Sequence, residues 1–465
     1  MLRPSPTTVD RPRVRRSTVR WVTGGALCAL GACADSAPTA PHGAPTGAAT
    51  TSTAPAARPM SGATIVNFAE TLPAAFAADV RAAGGEVVFS FPQIGVAVVR
   101  GLAAQTVAAV ASRHDAVSYG DDPVSPAGGE RMMRADAPEP GSATSGEEYA
   151  PLLWGMRMIG ADRAIDAGHT GEGAVIGIVD SGIDYTHPDL DGNYLRGQNF
   201  FAPFCASDPA ALRPVSCNPA DPMDQDGHGS HVAGTVAAEL DGQGVYGVAP
   251  KAKLIAAKVC GYYGCPTSSL IAGIMYAADQ GVDAMNVSIG GYLFVNTFPE
   301  DRADFVAFKR ATNYANRKRA LVVNSAGNAG VDLQHLPGYI KRIFGEANNM
   351  LVVSALGPDA NLGAIRGNVY SNWGNIVDVA APGGSFPPIT GLILSSVPGG
   401  YAFYAGTSMA APHVTGTAAQ IVGRFGKMTP AQLRTRIQRS ATDWGKVGYD
   451  SYYGHGIVNV WNAVR

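Results

Sequence analysis

The chain has 465 residues, of which 46% are hydrophobic and 15% are charged. This length suffices for two or three domains with a large buried core, and the composition is that of a globular protein. The formal net charge of −2 provides no basic excess for a phosphate backbone, so we expect no nucleic acid partner.

Residues 1–33 have the pattern of an export signal. Basic residues precede an apolar stretch over 21–30, which is too short to span a bilayer. The next residues, Leu30-Gly31-Ala32-Cys33, look like a bacterial lipobox, in which Cys33 carries lipid and becomes the mature N-terminus. Ordinary signal cleavage after Ala34 is the alternative. Both patterns predict export, with the protein either secreted or held at the cell envelope by a lipid anchor on Cys33.

A small domain is predicted between two linkers. The first linker, 34–62, is rich in Ala, Pro and Thr and cannot bury a core, and the second, 121–148, is rich in Pro, Gly and acidic residues. Between them, 63–120 shows the order strand, helix, strand, strand, helix, strand. That order is the split βαβ plan of a ferredoxin-like α+β domain.

Residues 149–465 form the largest predicted domain. Short runs of Val, Ile, Leu and Ala alternate with helical patterns, which indicates an α/β fold with a parallel sheet and helices on both faces. The clearest predicted strands are 174–179, 254–259, 284–289, 320–324 and 350–355.

Three polar residues stand where such a fold places its sites. Asp180 directly follows the apolar run 174–179, and open α/β sheets bind ligands at the carboxyl ends of their strands. His228 opens an Ala- and Val-rich helix. Ser408 stands among small residues at the start of another helix, with Pro412 in what we take as the first turn, where an N–H is dispensable. A serine nucleophile needs a base, and His228 is a candidate.

Four of the six cysteines lie beyond the predicted signal, which allows three pairings. Local pairing, Cys205–Cys217 and Cys260–Cys265, is favoured because each bond would close a surface loop. Export to an oxidising compartment agrees with disulfide formation.

The motifs around Asp180, His228 and Ser408, in that chain order, resemble those of the subtilisin-like serine proteases (subtilases). The resemblance runs from about residue 149 to the last residues of the chain. It implies a subtilisin-like fold and a serine endopeptidase of broad specificity that cleaves proteins and peptides without a cofactor for catalysis. In that family's mechanism Ser408 would be the nucleophile, His228 the base and Asp180 its orienting carboxylate. Asn328 would help to bind the oxyanion.

The resemblance also implies features outside this triad. The domain 63–120 would be an inhibitory propeptide, removed by autocatalytic cleavage near the end of the linker 121–148. Substrate backbone would pair with the strand at Ser288, Ile289 and Gly290. A structural calcium ion would bind Asp189 and Asp241, although the latter also suits an acidic surface turn.

Other functions predict other residues. A catalytically silent subtilase-fold protein that binds peptides would be expected to lack Asp180, His228, Asn328 or Ser408. An esterase would show G-x-S-x-G and the order Ser, acid, His. His228 and His231, three residues apart, are a weak metal signal compared with HExxH. In the family motif the base is His228, so His231 and His413 are interpreted as structural.

Overall fold

The computed structural model describes residues 60–125, 133–136, 147–207, 216–262, 264–289, 292–293, 299–336, 341–342 and 350–465. All of them belong to one compact unit, Ser52–Arg465. The predicted export signal with Cys33, nearly all of the first linker, and Gly290 lie outside the described residues. Among the helices of the described part, none is long and apolar enough to cross a membrane.

The N-terminal domain consists of β1 (Met60–Asn67), α1 (Phe76–Ala82), β2 (Glu86–Phe91), β3 (Val96–Arg100), α2 (Ala104–Arg113) and β4 (Ser118–Ser125). Its strands lie in the order β2-β3-β1-β4, and all neighbours are antiparallel. This is the ferredoxin-like arrangement predicted from the sequence. Phe76 and Val80, one turn apart on α1, are buried against the sheet in a cluster with Val66 and Val99.

The elements that follow are β5 (Met133–Asp136), α3 (Trp154–Met158), α4 (Ala161–Asp166), β6 (Val175–Asp180), β7 (Tyr194–Asn199), α5 (His228–Ala237), β8 (Lys253–Lys258), β9 (Cys265–Pro266), α6 (Thr267–Asp279), β10 (Ala284–Val287), β11 (Tyr292–Leu293), α7 (Pro299–Arg317), β12 (Leu321–Ser325), β13 (Lys341–Arg342), β14 (Met350–Leu356), β15 (Ala364–Ile365), β16 (Asn368–Val369), β17 (Val379–Pro382), β18 (Ile393–Val397), β19 (Gly400–Ala405), α8 (Thr407–Phe425), α9 (Pro430–Ser440) and α10 (Val460–Val464).

Seven of these strands form a parallel sheet in the order β17-β14-β12-β10-β6-β8-β7. The five predicted strands are all present, each within two residues of its predicted limits. In β6, Ile176 and Ile178 pack in one cluster with Val414 of α8, whereas Val179 packs in another with Leu270 of α6. Helices therefore cover both faces, which explains why the strand is a continuous apolar run.

One face of the N-terminal sheet packs against α6 and α7. Ile65 of β1 shares a buried cluster with Leu270 and Phe308 of these helices. At the edge of the contact, Arg310 Nη1 of α7 donates to the carbonyl oxygen of Phe68 at 2.6 Å. Apolar burial and the hydrogen bond from Arg310 to a main-chain carbonyl thus both hold the N-terminal domain on this surface.

A carboxylate of the N-terminal domain caps α6. Asp122 on β4 accepts hydrogen bonds from Ser268 N (2.9 Å), Ser268 Oγ (2.6 Å) and Ser61 Oγ (2.7 Å). Helix α6 has no side-chain cap from its own N-cap residue, Pro266. Asp122 therefore satisfies a donor that the first turn of α6 would leave unpaired. Complete burial raises the pKa of Asp122 to about 6, despite these hydrogen bonds.

The described parts of the predicted linker 121–148 include two strands. β4 continues to Ser125 and pairs antiparallel with β9, and β5 pairs antiparallel with β19. In each case the extended linker segment satisfies its backbone groups by pairing with an edge of the partner strand, β9 or β19. The composition of the linker did not predict this, because the partners are distant in sequence.

Candidate active site

Asp180 and His228 meet at the carboxyl edge of the parallel sheet. Asp180 is the last residue of β6, and His228 is the first residue of α5. The His228 Nδ1 atom lies 2.7 Å from Asp180 Oδ1, and both side chains are fully buried. Asp180 Oδ1 also accepts from Ser181 N at 2.7 Å. The carboxylate can thus orient the imidazole and stabilise its charged form, while Nε2 has no hydrogen-bond partner in the described part of the chain.

A second buried carboxylate, Asp224, holds the turn that leads into His228. Its Oδ1 accepts from Gly227 N (3.0 Å) and Ser181 Oγ (3.0 Å), and its Oδ2 accepts from Ser230 N (2.9 Å). Asp224 is not among the site residues predicted from the sequence. The spacing of Asp224 and Asp226 before Gly227 is typical of Asx turns and could have revealed it.

Ser408 lies at the start of α8, as predicted, and is almost fully buried. Its hydroxyl donates to the carbonyl oxygen of Ser288 at 3.1 Å. Since His228 Nε2 is unpaired, the structure does not join Ser408 and His228 by a hydrogen bond. Nucleophile–base contacts are often long before substrate binds.

The expectation that Pro412 lies in the first helical turn is wrong. α8 begins at Thr407, so Pro412 is its sixth residue and removes a regular helical bond. The carbonyl that loses its partner is that of Ser408, which instead accepts from Ser288 Oγ at 2.9 Å. Tertiary contact, not helix position, makes this proline tolerable.

Asn328 follows β12 and contacts the residue before Ser408. Its Oδ1 accepts from Thr407 N and from Thr407 Oγ1, each at 2.8 Å. A main-chain N–H can only donate, so these contacts identify the oxygen end of the amide. The Nδ2 end is the donor of this side chain.

Ser288 and Ile289 directly follow β10, and both are buried. Asn324 Nδ2 donates to the carbonyl oxygens of Val287 (2.5 Å) and Ile289 (3.1 Å). The segment predicted to bind substrate backbone is thus held in place by the side chain of Asn324 on β12. Its third predicted residue, Gly290, lies beyond the described residues.

The other two histidines near these motifs contact main-chain carbonyls. His231 Nε2 lies 3.0 Å from the oxygen of Ile393, and its ring stacks on Tyr404. His413 Nδ1 lies 2.8 Å from the oxygen of Met409. Burial lowers the pKa of His413 to about 4, so this ring is neutral at physiological pH.

Two acidic side chains, those of Asp189 and Glu147, contact the loop 239–245, which itself carries Asp241. Asp189 is buried and accepts from Val245 N (3.0 Å) and Tyr401 Oη (2.9 Å). Glu147 Oε1 accepts from Gly242 N at 2.7 Å, while its buried Oε2 has no partner among the described residues. Burial raises the pKa of Asp189 to about 7 and of Glu147 to about 6, and the charge of Asp241 adds to both shifts.

These acidic side chains alone do not form a metal site. No group of three or more His, Cys, Asp or Glu residues in the described ranges could hold a metal ion by itself. Glu147 is not predicted from the sequence, because it lies far from the loop along the chain and no motif links the two. Both predicted disulfides, Cys205–Cys217 and Cys260–Cys265, are present.

Comparison with known proteins identifies relatives for most of the chain. A model of the subtilase family matches residues 171–456. Thermitase from Thermoactinomyces vulgaris is 33% identical over 323 residues, which cover 68% of this chain and 97% of thermitase. Fervidolysin from Fervidobacterium pennivorans is 33% identical over 353 residues, but this chain covers only 44% of it.

Solved structures agree with this relationship. The crystal structure of fervidolysin, a keratinolytic enzyme related to subtilisin, has a TM-score of 0.63 and 26% identity, covering 87% of this chain and 60% of fervidolysin. The epidermin leader peptide processing serine protease of Staphylococcus aureus shares the fold, with a TM-score of 0.73 at 23% identity over 86% of this chain and 98% of its own. The chain therefore belongs to the subtilase family of serine proteases.

Proposed function

We propose that the chain is an exported serine endopeptidase, made as a zymogen, in which Asp180, His228 and Ser408 form the catalytic triad. The observation that carries this proposal is the buried Asp180–His228 pair at the end of β6. Ser408 contacts Ser288 at the end of the neighbouring strand, β10. A catalytically silent binding protein would have no reason to keep a fully buried carboxylate paired with an imidazole. Desolvation makes such a buried pair costly for stability, and a catalytic role would explain its presence.

In the proposed mechanism, the Ser408 hydroxyl attacks the scissile carbonyl carbon while His228 Nε2 accepts its proton. Asp180 stabilises the imidazolium that forms. His228 then donates this proton to the departing amine, leaving an acyl-enzyme at Ser408. Water, deprotonated by His228, attacks the ester carbonyl, and Ser408 is released with its proton restored.

Covalent labelling tests the nucleophile directly. The mature protein is treated with phenylmethanesulfonyl fluoride, digested, and mapped by mass spectrometry. We expect one sulfonyl adduct, on Ser408, and loss of casein hydrolysis in proportion to labelling. Stoichiometric inactivation with the adduct on another residue would refute the assignment.

Asn328 is proposed to donate from Nδ2 to the developing oxyanion, together with the Ser408 backbone N–H. Asn328→Asp keeps the oxygen that Thr407 binds but replaces this donor with a carboxylate oxygen, which repels the oxyanion. We expect kcat to fall about 100- to 1000-fold, the range known for the corresponding loss in subtilisin, a relative. KM and the thermal midpoint should change little. A change confined to KM would contradict the oxyanion role.

The strand of Ser288, Ile289 and Gly290 is proposed to pair with substrate backbone. Such pairing reads main-chain groups rather than side chains, and it favours extended protein and peptide substrates of varied sequence. Subtilase catalysis needs no cofactor.

The N-terminal domain is proposed to be the inhibitory propeptide, released by autocatalytic cleavage within the linker 121–148. Its contacts with α6 and α7, and the pairing of β4 with β9, support this proposal. The likeness to fervidolysin covers more of this chain than the protease domain alone, which agrees with it.

Asp122 should make the free energy of unfolding of the uncleaved precursor depend on pH. Its pKa is raised from 3.8 to about 6, so the folded form binds a proton more tightly than the unfolded chain. The resulting stabilisation is complete below about pH 4 and is lost as the pH rises through 6, a difference of about 3 kcal/mol. In a Ser408→Ala precursor, Asp122→Asn should remove this dependence and leave the protein at least as stable at pH 7.

Urea unfolding at pH 4.5 and pH 7 of the two precursors measures this effect. The expected result requires that the desolvation cost of the charged Asp122 carboxylate exceeds the stabilisation that this charge provides as a helix cap. If Asp122→Asn destabilises the precursor more at pH 7 than at pH 4.5, the capping charge dominates and the account is wrong.

A calcium ion is proposed to bind beside the loop 239–245. Glu147 Oε2, which has no partner among the described residues, and the mutually repelling carboxylates suit a hard cation. Asp189, Asp241 and main-chain carbonyls of the loop would complete the oxygen ligands. Calcium at 100 times its Kd should add about 3 kcal/mol and raise the thermal midpoint by about 5 °C over EDTA. Glu147→Gln should reduce this rise, whereas exposed Glu172→Gln should not. Equal midpoints in calcium and EDTA would refute the site.

Export is proposed from the basic and apolar pattern of residues 1–33, and the two disulfides agree with an oxidising compartment. Lipidation of Cys33 would leave residues 34–62 as a tether to the membrane. Mass spectrometry of the mature N-terminus from membrane and medium fractions distinguishes a lipidated Cys33 from cleavage after Ala34.

A further inference from the structure

The helix that carries Ser408 lacks one regular hydrogen bond, the bond from residue 412 to the Ser408 carbonyl. Pro412 lies inside α8 and has no N–H to donate to the Ser408 carbonyl, four residues earlier. Ser408 is almost fully buried, so its carbonyl needs another partner. The partner is Ser288 Oγ, at 2.9 Å.

Two further side chains fix the direction of this hydrogen bond. A carbonyl can only accept, so the Ser288 hydroxyl donates to it and accepts from Asn286 Nδ2 at 2.7 Å. The oxygen of Asn286 faces Thr415 Oγ1 at 3.0 Å, and the one Thr415 hydroxyl proton is shared between this oxygen and the Ala411 carbonyl at 3.1 Å. Thr415, Asn286 and Ser288 are each fully buried. The relay therefore starts on α8, crosses to β10 and returns to α8 at Ser408 with a single polarity.

Ser288 also contacts the reacting group. Its carbonyl oxygen accepts the hydroxyl proton of Ser408 at 3.1 Å, while its own hydroxyl donates to the Ser408 carbonyl. One residue thus holds both the main chain and the side chain of Ser408.

We propose that Ser288 is a positioning residue, and that the relay Thr415–Asn286–Ser288 replaces the helical hydrogen bond that Pro412 removes. The relay holds the main chain at Ser408 in the orientation that reacts. This inference rests on the proposed function, in which Ser408 is the nucleophile.

A double-mutant cycle tests whether the relay replaces the helical hydrogen bond that Pro412 removes. The wild type, Ser288→Ala, Pro412→Ala and the double variant are matured in trans by tagged wild-type enzyme, which is then removed. Ser288→Ala should lower kcat for a peptide anilide about 10- to 100-fold, as expected for misplacement of a reacting group, with KM within about twofold. In the double variant, residue 412 regains an N–H for the Ser408 carbonyl. Its kcat should therefore return to within about threefold of Pro412→Ala.

Additive losses in the double variant would overturn the proposal, because they would show that the new N–H does not substitute for the Ser288 hydroxyl. So would a Ser288→Ala effect on KM alone. The rate of Ser408 sulfonylation, which does not require peptide binding, should follow kcat across the four proteins.

A second pair of variants decides the matter if Ser288→Ala does not fold. Thr415→Val removes the far end of the relay and should lower kcat about threefold or more. Thr417→Val is the matched control, since Thr417 is equally buried on α8 and, like Thr415, donates to the carbonyl four residues earlier, that of His413 at 2.8 Å, but is not part of the relay. Equal kcat values for these two variants would contradict the relay. A wild type that fails to cleave peptides would instead refute the proposed function, so the two failures are distinguishable.

Discussion

Replacement of His228 by alanine is expected to lower kcat for peptide hydrolysis by about 10⁶-fold, the loss known for the corresponding histidine of subtilisin, a relative. The reason is that His228 is the only imidazole whose Nδ1 contacts Asp180 while its Nε2 remains available in the described part of the chain. In the proposed mechanism, the variant leaves the Ser408 hydroxyl without a base and the leaving amine without an acid. Steady-state kinetics on the mature enzyme measure the loss.

The matched control for this variant is His413→Gln. His413 is also buried and lies on the same helix as Ser408, but its Nδ1 contacts the Met409 carbonyl. We expect its kcat to stay within about tenfold of the wild type, since packing changes alone are smaller than loss of the base. A larger loss of kcat for His413→Gln than for His228→Ala would indicate that His413 is the base, and would refute the triad.

Replacement of Asp180 by asparagine is expected to lower kcat about 10⁴-fold, as the same change does in another serine protease triad. The Oδ1 atom of Asp180 accepts from both Ser181 N and His228 Nδ1, whereas the buried Oδ2 has no partner among the residues that the structure describes. An amide NH₂ placed at Oδ2 would be an unsatisfied buried donor, and one placed at Oδ1 would face two donors. In either orientation the imidazolium also loses its counter-charge.

Asp184→Asn is the control for Asp180→Asn. Asp184 is a buried carboxylate on the turn after β6, and its Oδ1 accepts from Thr186 N (3.0 Å) and Thr186 Oγ1 (2.6 Å), away from His228. Its kcat should stay within about threefold of the wild type. If Asp180→Asn retains more than a tenth of the wild-type kcat with KM unchanged, Asp180 does not orient the base.

The sequence predicts the parts of this fold that depend on local pattern. β6 is recognisable because both of its faces are buried, which produces an unbroken apolar run before Asp180. The N-terminal domain is recognisable from helical periodicity, since Phe76 and Val80, four residues apart, identify α1. Three extended motifs then identify the family.

The parts that sequence does not predict depend on contacts between distant segments. Glu147 reaches the loop 239–245 only because residues 147–149 pack against it, and Tyr149 N bonds Gly244 O at 2.9 Å. Pro412 looks like a first-turn proline until the start of α8 is known. Ser288 can be predicted at a strand end, but its hydrogen bonds to Ser408 become visible only when β10 and α8 are packed together.

The zymogen and the triad are tested together by expressing the intact precursor beside its Ser408→Ala variant and comparing band size and casein hydrolysis. We predict that only the unmutated chain sheds its N-terminal domain and cleaves casein. If both chains mature and cleave casein equally, Ser408 is not the nucleophile, and the central claim is wrong.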